Sequence, residues 1–222
     1  MNRAQLAAAG LAVGLAIVTT PVSAHAETKS PEERSHFAMS AALQLPYGRA
    51  TGAPGDAERE LVGNNLRLGF ALWSPFGPRV RSVLEGAILV GAAGTTLRRL
   101  CRLYDEACFQ LGLAASYELE WALARAPRWE LWAKNGLGAE VVGAGSSKNV
   151  SAVLVGLDFL RPALGIDMLL GPAHRRVGFY LQNRVGTYVS ANTNNGLENA
   201  GLRPIRDKGV HASFALGARV VF

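Results

Sequence analysis

The chain has 222 residues, 49% of them hydrophobic, and carries 23 basic against 17 acidic side chains, a formal charge of +6. That length suits one domain of ordinary size, and no internal repeat, low-complexity tract or long linker divides it. The basic excess is small and its arginines are scattered through apolar segments, so no nucleic-acid partner is expected.

Met1, Asn2 and Arg3 form a short basic head before an apolar run from Leu6 to Val18. Thr19, Thr20 and Pro21 end that run ahead of Ala24-His25-Ala26, an A-x-A cleavage pattern, so residues 1–26 read as a secretory signal peptide. The run falls short of the roughly 20 residues that a spanning helix needs. Cleavage removes Arg3 and leaves 22 basic minus 17 acidic side chains, or +5. Residues 27–35 then form a short polar leader on the periplasmic side, and residues 36–222 form the folded domain. No later stretch reaches helix-spanning length without a charge or a glycine, interruptions that are costly for a helix in lipid. A β-barrel avoids that cost, because each strand needs about 9 to 11 residues and meets lipid at every second position.

Period two runs through the rest of the chain. In the first segment Phe37, Met39, Ala41, Leu43, Leu45 and Tyr47 alternate with His36, Ala38, Ser40, Ala42 and Gln44. The second sets Leu66, Leu68, Phe70 and Leu72 against Arg67, Gly69 and Ala71; the third sets Val80, Leu84, Ile88 and Val90 against Arg81, Glu85 and Gly91. The fourth is the clearest: Phe109, Leu111, Leu113, Ala115, Tyr117, Leu119 and Trp121 oppose Gln110, Gly112, Ala114, Ser116, Glu118 and Glu120. A helix would smear that pattern around its circumference.

The fifth segment, Trp129 to about Gly143, sets Leu131, Leu137, Ala139 and Val141 against Glu130, Lys134, Gly136, Gly138 and Glu140, with Asn135 on the wrong face. The sixth, about Phe159 to Leu170, points Leu160, Leu164, Ile166, Met168 and Leu170 outward and Arg161, Gly165 and Asp167 inward, weakened by Pro162. The seventh, Val177 to Ser190, sets Val177, Phe179, Leu181 and Val185 against Tyr180, Gln182, Arg184 and Gly186, with Asn183 as its exception. The eighth sets Ala212, Phe214, Leu216, Ala218, Val220 and Phe222 against His211, Ser213, Gly217 and Arg219.

The connections alternate in length, as they do in outer-membrane barrels. Gly48 to Asn65, Ala92 to Ala107, Ala144 to Asp158 and Ala191 to Gly209 are long and polar or Gly-rich. Ser74 to Pro78, Ala122 to Arg128 and Gly171 to Arg175 are short turns. The expectation is an eight-stranded antiparallel transmembrane β-barrel, an up-and-down meander with both ends in the periplasm and the long loops outside. Val150 to Asp158, with apolar Val153, Val155 and Leu157, is the ambiguous stretch. A ninth strand would break the even count, so it reads as the start of a long sixth strand or as a hairpin extension above the membrane. A soluble β-sandwich or lipocalin-like barrel also alternates. Here, however, the face opposite the apolar one is thick with Gly, Ala and a limited set of charges, which suits a narrow polar interior.

That interior is expected to hold Arg67, Arg81, Lys134, Arg161, Arg184 and Arg219 with Glu85, Glu118, Glu120, Glu130, Glu140 and Asp167. The signs balance. Such charges must pair or reach water, giving either a salt-bridge network that plugs the barrel or a gated polar pore for ions or small solutes. Outward aromatics gather near strand ends, Trp121, Trp129 and Phe222 toward the periplasm and Tyr47 and Phe109 toward the outside, as in interfacial girdles. Cys101 and Cys108 share the second long loop, and in an exported protein a disulfide is expected. Two thiols with no His nearby make a poor metal site, and no cofactor is expected.

The whole pattern resembles the outer-membrane β-barrel families of OmpA, OmpX and OmpW type, over nearly all of the mature region. The resemblance rests on the signal peptide, the eight alternating segments, the Gly-rich stretch Trp132 to Glu140, and the ending Gly217-Ala218-Arg219-Val220-Val221-Phe222. It implies that Phe222 carries a signal for the barrel-assembly machinery and that the protein is a monomer surrounded by outer-membrane lipid. The implied role is structural or loop display toward an unidentified extracellular ligand. Catalysis is not expected: there is no GxSxG, no HExxH and no phosphate-cradling loop before a helix. His211-Ala212-Ser213 has the H-x-S spacing of outer-membrane lipid A deacylases, where His activates Ser and an acid orients the His. Both residues fall on the lumen face, and Glu198, the nearest preceding acid apart from Asp207, lies in a loop. A lipid A-modifying hydrolase is therefore only a minor alternative.

Overall fold

The structure, a computed structural model, describes residues 36–46, 61–146, 151–170, 175–193 and 210–222. The expected signal peptide, the leader, Tyr47, Glu198, Asp207 and most of the first and fourth long loops lie outside the described residues. Within them run β1 (His36–Pro46), β2 (Val62–Gly77), β3 (Val80–Ala93), α1 (Thr95–Leu103), β4 (Phe109–Ala126) and β5 (Trp129–Gly145). There follow β6 (Ser151–Leu160), β7 (Ala163–Leu170), β8 (Arg175–Thr193) and β9 (Val210–Val221).

Every pairing is antiparallel, and the sheet closes on itself because β9 returns to β1. Ala42 stands opposite Arg67 of β2 and Gly217 of β9. Closure leaves no edge strand, and in lipid it lets the backbone satisfy its polar groups internally. The alternation points the way the sequence demands for a membrane solvent. Leu113 is 62% exposed while the neighbouring Ala114 is 7% exposed, and the same inversion holds along β1, β2, β4, β7 and β9.

β6 and β7 are two parts of one strand. Both pair with β5 and with β8, so the ring counts eight staves. From Asp158 to Ala163 this stave advances five residues while β5 covers the four from Gly138 to Lys134, and β8 the four from Gly186 to Gln182. The surplus residue is a β-bulge. Phe159 and Leu160 both point outward, so the outward parity switches from odd (Val153, Leu157) to even (Leu164, Ile166, Met168). The break falls where Pro162 has no N–H to give. Its two neighbours accommodate it: Asn135 Oδ1 accepts the Arg161 N–H at 2.9 Å, and the Asn183 N–H donates to the Pro162 carbonyl at 2.8 Å. The two asparagines that spoil the alternation thus flank a single defect.

The ambiguous stretch opens the long sixth strand, one of the two readings its sequence allows: β5 reaches Gly145 and β6 starts at Ser151, paired from Gly145–Ser151 to Gly138–Asp158, and three other expectations are corrected. Both strands remain apolar on their outer face there, which favours continuing the ladder over a loop with unpaired backbone. Ala92 to Ala107 contains a helix, because Leu97, Leu100 and Cys101 recur at the 3.6 period and bury together. The turns after β2 and β4 tighten to Pro78-Arg79 and Pro127-Arg128, with strand pairing consuming Ser74 to Gly77 and Ala122 to Ala126. Arg175, placed in the third turn, already belongs to β8.

Candidate functional site

The lumen is where the chemistry-bearing side chains converge, because strict alternation aims each one inward from its strand. At the end of the barrel with the short turns, Glu120 accepts from Arg81 at 3.0 Å and from Arg219 at 2.6 Å. Arg219 also donates to Asp167 at 2.7 Å, and its guanidinium lies over the rings of Trp73 (4.4 Å) and Trp132 (3.6 Å). The Trp132 indole N–H donates to Asp167 at 3.0 Å, so carboxylate, guanidinium and indole form one locked unit. Gly165 makes room for it: a Cβ there would collide with the Trp132 ring. Glu130 gathers Arg81, Arg125 and Arg176 below.

In the middle, Arg67 donates to Glu85 at 2.8 Å, Lys134 bridges Glu85 and Glu118, and Arg161 donates to Glu118 at 2.7 Å. Gln182 adds a bond to Glu118 at 3.0 Å. Above, Asp158 accepts from Arg161 at 2.8 Å and from Arg184, which also donates to Glu140 at 2.6 Å. His211 Nε2 lies 3.3 Å from Asp158, with its ring stacked on Tyr188 at 4.7 Å. The three tiers are continuous, since Arg161 links the upper two and the cavity lining joins Glu85 and Lys134 to Trp132 and Arg219. That cavity, about 20 Å³, lies among Glu85, Lys134, Tyr180, Trp73, Trp132 and Arg219, room for about one water.

An apolar stopper closes the end that carries α1. Leu97, Leu100 and Cys101 of α1 pack into one buried cluster with Leu89, Val142, Leu154 and Tyr188. The Cys101–Cys108 disulfide, Cα atoms 5.9 Å apart, ties the helix to the start of β4. The backbone N–H of Gly94 donates to the Leu61 carbonyl at 3.0 Å, pinning the helix entry. At the opposite end Phe222 closes the β1–β9 seam: its N–H donates to the Phe37 carbonyl at 2.9 Å and its ring stacks on Phe37 at 6.4 Å.

All twelve charged residues expected in the interior face inward: Arg67, Arg81, Glu85, Glu118, Glu120, Glu130, Lys134, Glu140, Arg161, Asp167, Arg184 and Arg219. Each makes an ion pair with another lumen group. Asp158 anchors the upper tier but is absent from the expected set, because it falls in the ambiguous stretch before the sixth segment; the alternation of Val153, Val155 and Leu157 is the signal for it. Trp73 and Trp132 are also absent from that set, because inward apolar rings look like lipid-facing ones in sequence. His211 and Ser213 lie on the lumen face, Ser213 accepting from Gln44 at 3.2 Å, away from any lipid around the barrel.

No family model and no curated protein matches the chain. Among solved structures it is similar to Ail, the attachment invasion locus protein of Yersinia pestis, at 11% identity over 85% of this chain and 97% of that one, with a TM-score of 0.44. It is also similar to Neisserial surface protein A at 11% identity, covering 84% and 96%, with a TM-score of 0.46. A major outer membrane protein from Thermus thermophilus gives 12% identity, 85% and 100% coverage, and a TM-score of 0.41. Strand pairing and face pattern establish the architecture independently of these likenesses: eight antiparallel staves, apolar outside and ion-paired inside, make this chain a transmembrane β-barrel of the outer-membrane type.

Proposed function

We propose that the protein resides in a bacterial outer membrane and works by presenting a rigid, internally sealed barrel and its outer loops, rather than by conducting solutes or by catalysis. The observation that carries this reading is the filled lumen: three tiers of ion pairs under an apolar stopper. Buried charges this well paired fix geometry, and breaking one pair costs about 3 to 5 kcal/mol, so the network resists deformation. The disulfide-tied helix then offers a preorganised platform at the mouth, which lowers the ordering cost of binding an extracellular ligand.

The polar character of the lumen favours a second reading, a small gated channel, in which α1 would have to leave the mouth and the ion pairs would have to part. Planar-bilayer recording separates the two: the sealed barrel gives a quiet baseline, whereas discrete ohmic steps from the pure protein favour the channel. Mass spectrometry of lipid A from cells with and without the protein tests the minor hydrolase reading, for which a loss of acyl chains is the signature. Inward His211 and Ser213 speak for an unchanged spectrum.

A further inference from the structure

The described acids are distributed unevenly. Seven of them, from Glu85 to Asp167, are buried, and the two that are not, Asp105 and Glu106, stand in the loop after α1 at the extracellular end. The periplasmic rim is the reverse. Each of its three hairpins carries arginine: Arg79 between β2 and β3, Arg125 at the end of β4 and Arg128 between β4 and β5, and Arg175 and Arg176 opening β8. Arg125 and Arg176 turn to Glu130. Arg79, Arg128 and Arg175 are exposed and, among the described residues, have no carboxylate partner.

These three side chains spring from backbone that is held in place. The Arg79 carbonyl accepts the Ala122 N–H at 2.9 Å and the Arg128 carbonyl accepts the Leu169 N–H at 3.0 Å, so each turn is tied to the next hairpin around the ring. The Arg175 guanidinium lies 6.0 Å from the centre of the Phe222 ring. Exposed Phe76, Trp121, Trp129 and Phe222 occupy the same end, and such aromatics sit at the level of the lipid headgroups. Guanidinium groups at that level meet phosphates, which they grip with paired N–H donors.

We propose that Arg79, Arg128 and Arg175 form a collar that binds anionic phospholipid of the inner leaflet by its headgroup phosphate. The collar rests on the outer-membrane reading and adds to it a leaflet-specific ligand. Lipid is the occupant because each arginine adjoins an outward aromatic: Arg175 lies over Phe222, Trp129 follows Arg128, and Val80, next to Arg79, pairs with Trp121. Each basic group near an anionic surface strengthens attraction about fivefold, so losing three removes most of any preference.

The test refolds the mature chain into vesicles of phosphatidylcholine alone or mixed with phosphatidylglycerol, then extracts it gently and identifies retained lipid by native mass spectrometry. The unmodified protein should keep phosphatidylglycerol in preference to phosphatidylcholine, and R79Q/R128Q/R175Q should lose that preference while folding in phosphatidylcholine. Raising salt toward about 1 M, where the Debye length is about 3 Å, should abolish it without any substitution. An undiminished preference in the triple variant or at high salt overturns the collar. So does arginine-dependent retention on purified cell-wall sacculi without lipid preference, which would make the wall the occupant. A barrel that never becomes heat-modifiable in either vesicle fails the outer-membrane reading, whereas a heat-modifiable barrel without lipid preference fails the collar alone.

Discussion

Replacing Arg219 with methionine removes the side chain that ties the lower lumen together. The guanidinium is buried, lies over the rings of Trp73 and Trp132, and bonds Glu120 and Asp167. After its loss Glu120 keeps Arg81 at 3.0 Å and Asp167 keeps the Trp132 indole at 3.0 Å, so neither carboxylate is wholly orphaned. The full penalty for breaking a buried pair, about 3 to 5 kcal/mol, is therefore an upper range for the electrostatic part. Each desolvated cation–π contact adds up to about 2 kcal/mol, and these terms overlap because the same group makes them all. A loss of about 4 kcal/mol is expected, with Arg219→Lys recovering part of it through charge but not through the planar fork. Urea unfolding in lipid vesicles, followed by tryptophan emission and heat-modifiability, supplies the numbers. A cycle with Asp167→Asn should show coupling of about 1 to 3 kcal/mol. Stability of Arg219→Met within about 0.5 kcal/mol of the parent would refute the claim that this unit holds the lumen, since that is the range of an ordinary surface substitution.

Three further outcomes are expected. Leu113→Arg and Ile166→Arg, both on the lipid face, should each destabilise the barrel in vesicles by about 2 to 4 kcal/mol near the midplane; unchanged folding of both would mean the outward face is misassigned. Gly165→Ala should cost about 1 to 3 kcal/mol, because the new methyl must displace the Trp132 ring, and the loss should shrink when Trp132 is replaced by a smaller residue. Mass spectrometry of the non-reduced protein should find Cys101 joined to Cys108, and removing the bridge should cost about 2 to 3 kcal/mol in the chain-entropy description; alkylation of both thiols without reductant would contradict it.

The strands were legible because lipid outside and charge inside impose period two with few exceptions, as along β4 from Phe109 to Trp121. The exceptions carried information that a strand-by-strand reading could not combine. Asn135, Pro162 and Asn183 lie on three neighbouring staves and meet only once the ring is closed, where they serve one bulge. The same bulge reverses parity at Phe159 and Leu160, so the two halves of this single stave read in opposite registers and Asp158 falls outside the inward set taken from the second half. Helix α1 is hidden because a long connection opened by glycines, Gly91 and Gly94, is the ordinary link between two strands, although Leu97, Leu100 and Cys101 are spaced as one helical face. The composition of the ion network could be read from the inward positions. Its pairings could not, because Arg184–Glu140, Arg219–Glu120 and Arg161–Glu118 join strands that are not neighbours in the sheet. Barrel radius and side-chain reach decide such contacts.

The four tryptophans test the inside-out register most directly, because the structure divides them evenly. Trp121 and Trp129 are 38% and 40% exposed on the outer face, whereas Trp73 and Trp132 are 3% and 0% exposed in the lumen. In vesicles of bromine-labelled phosphatidylcholine the parent protein should lose part of its emission, since bromine quenches indoles that touch lipid. The W121F/W129F variant, which keeps only the lumen pair, should show emission that is the same in brominated and ordinary lipid. Quenching of that variant as strong as in the parent would place Trp73 and Trp132 against lipid and contradict the sealed, ion-paired interior.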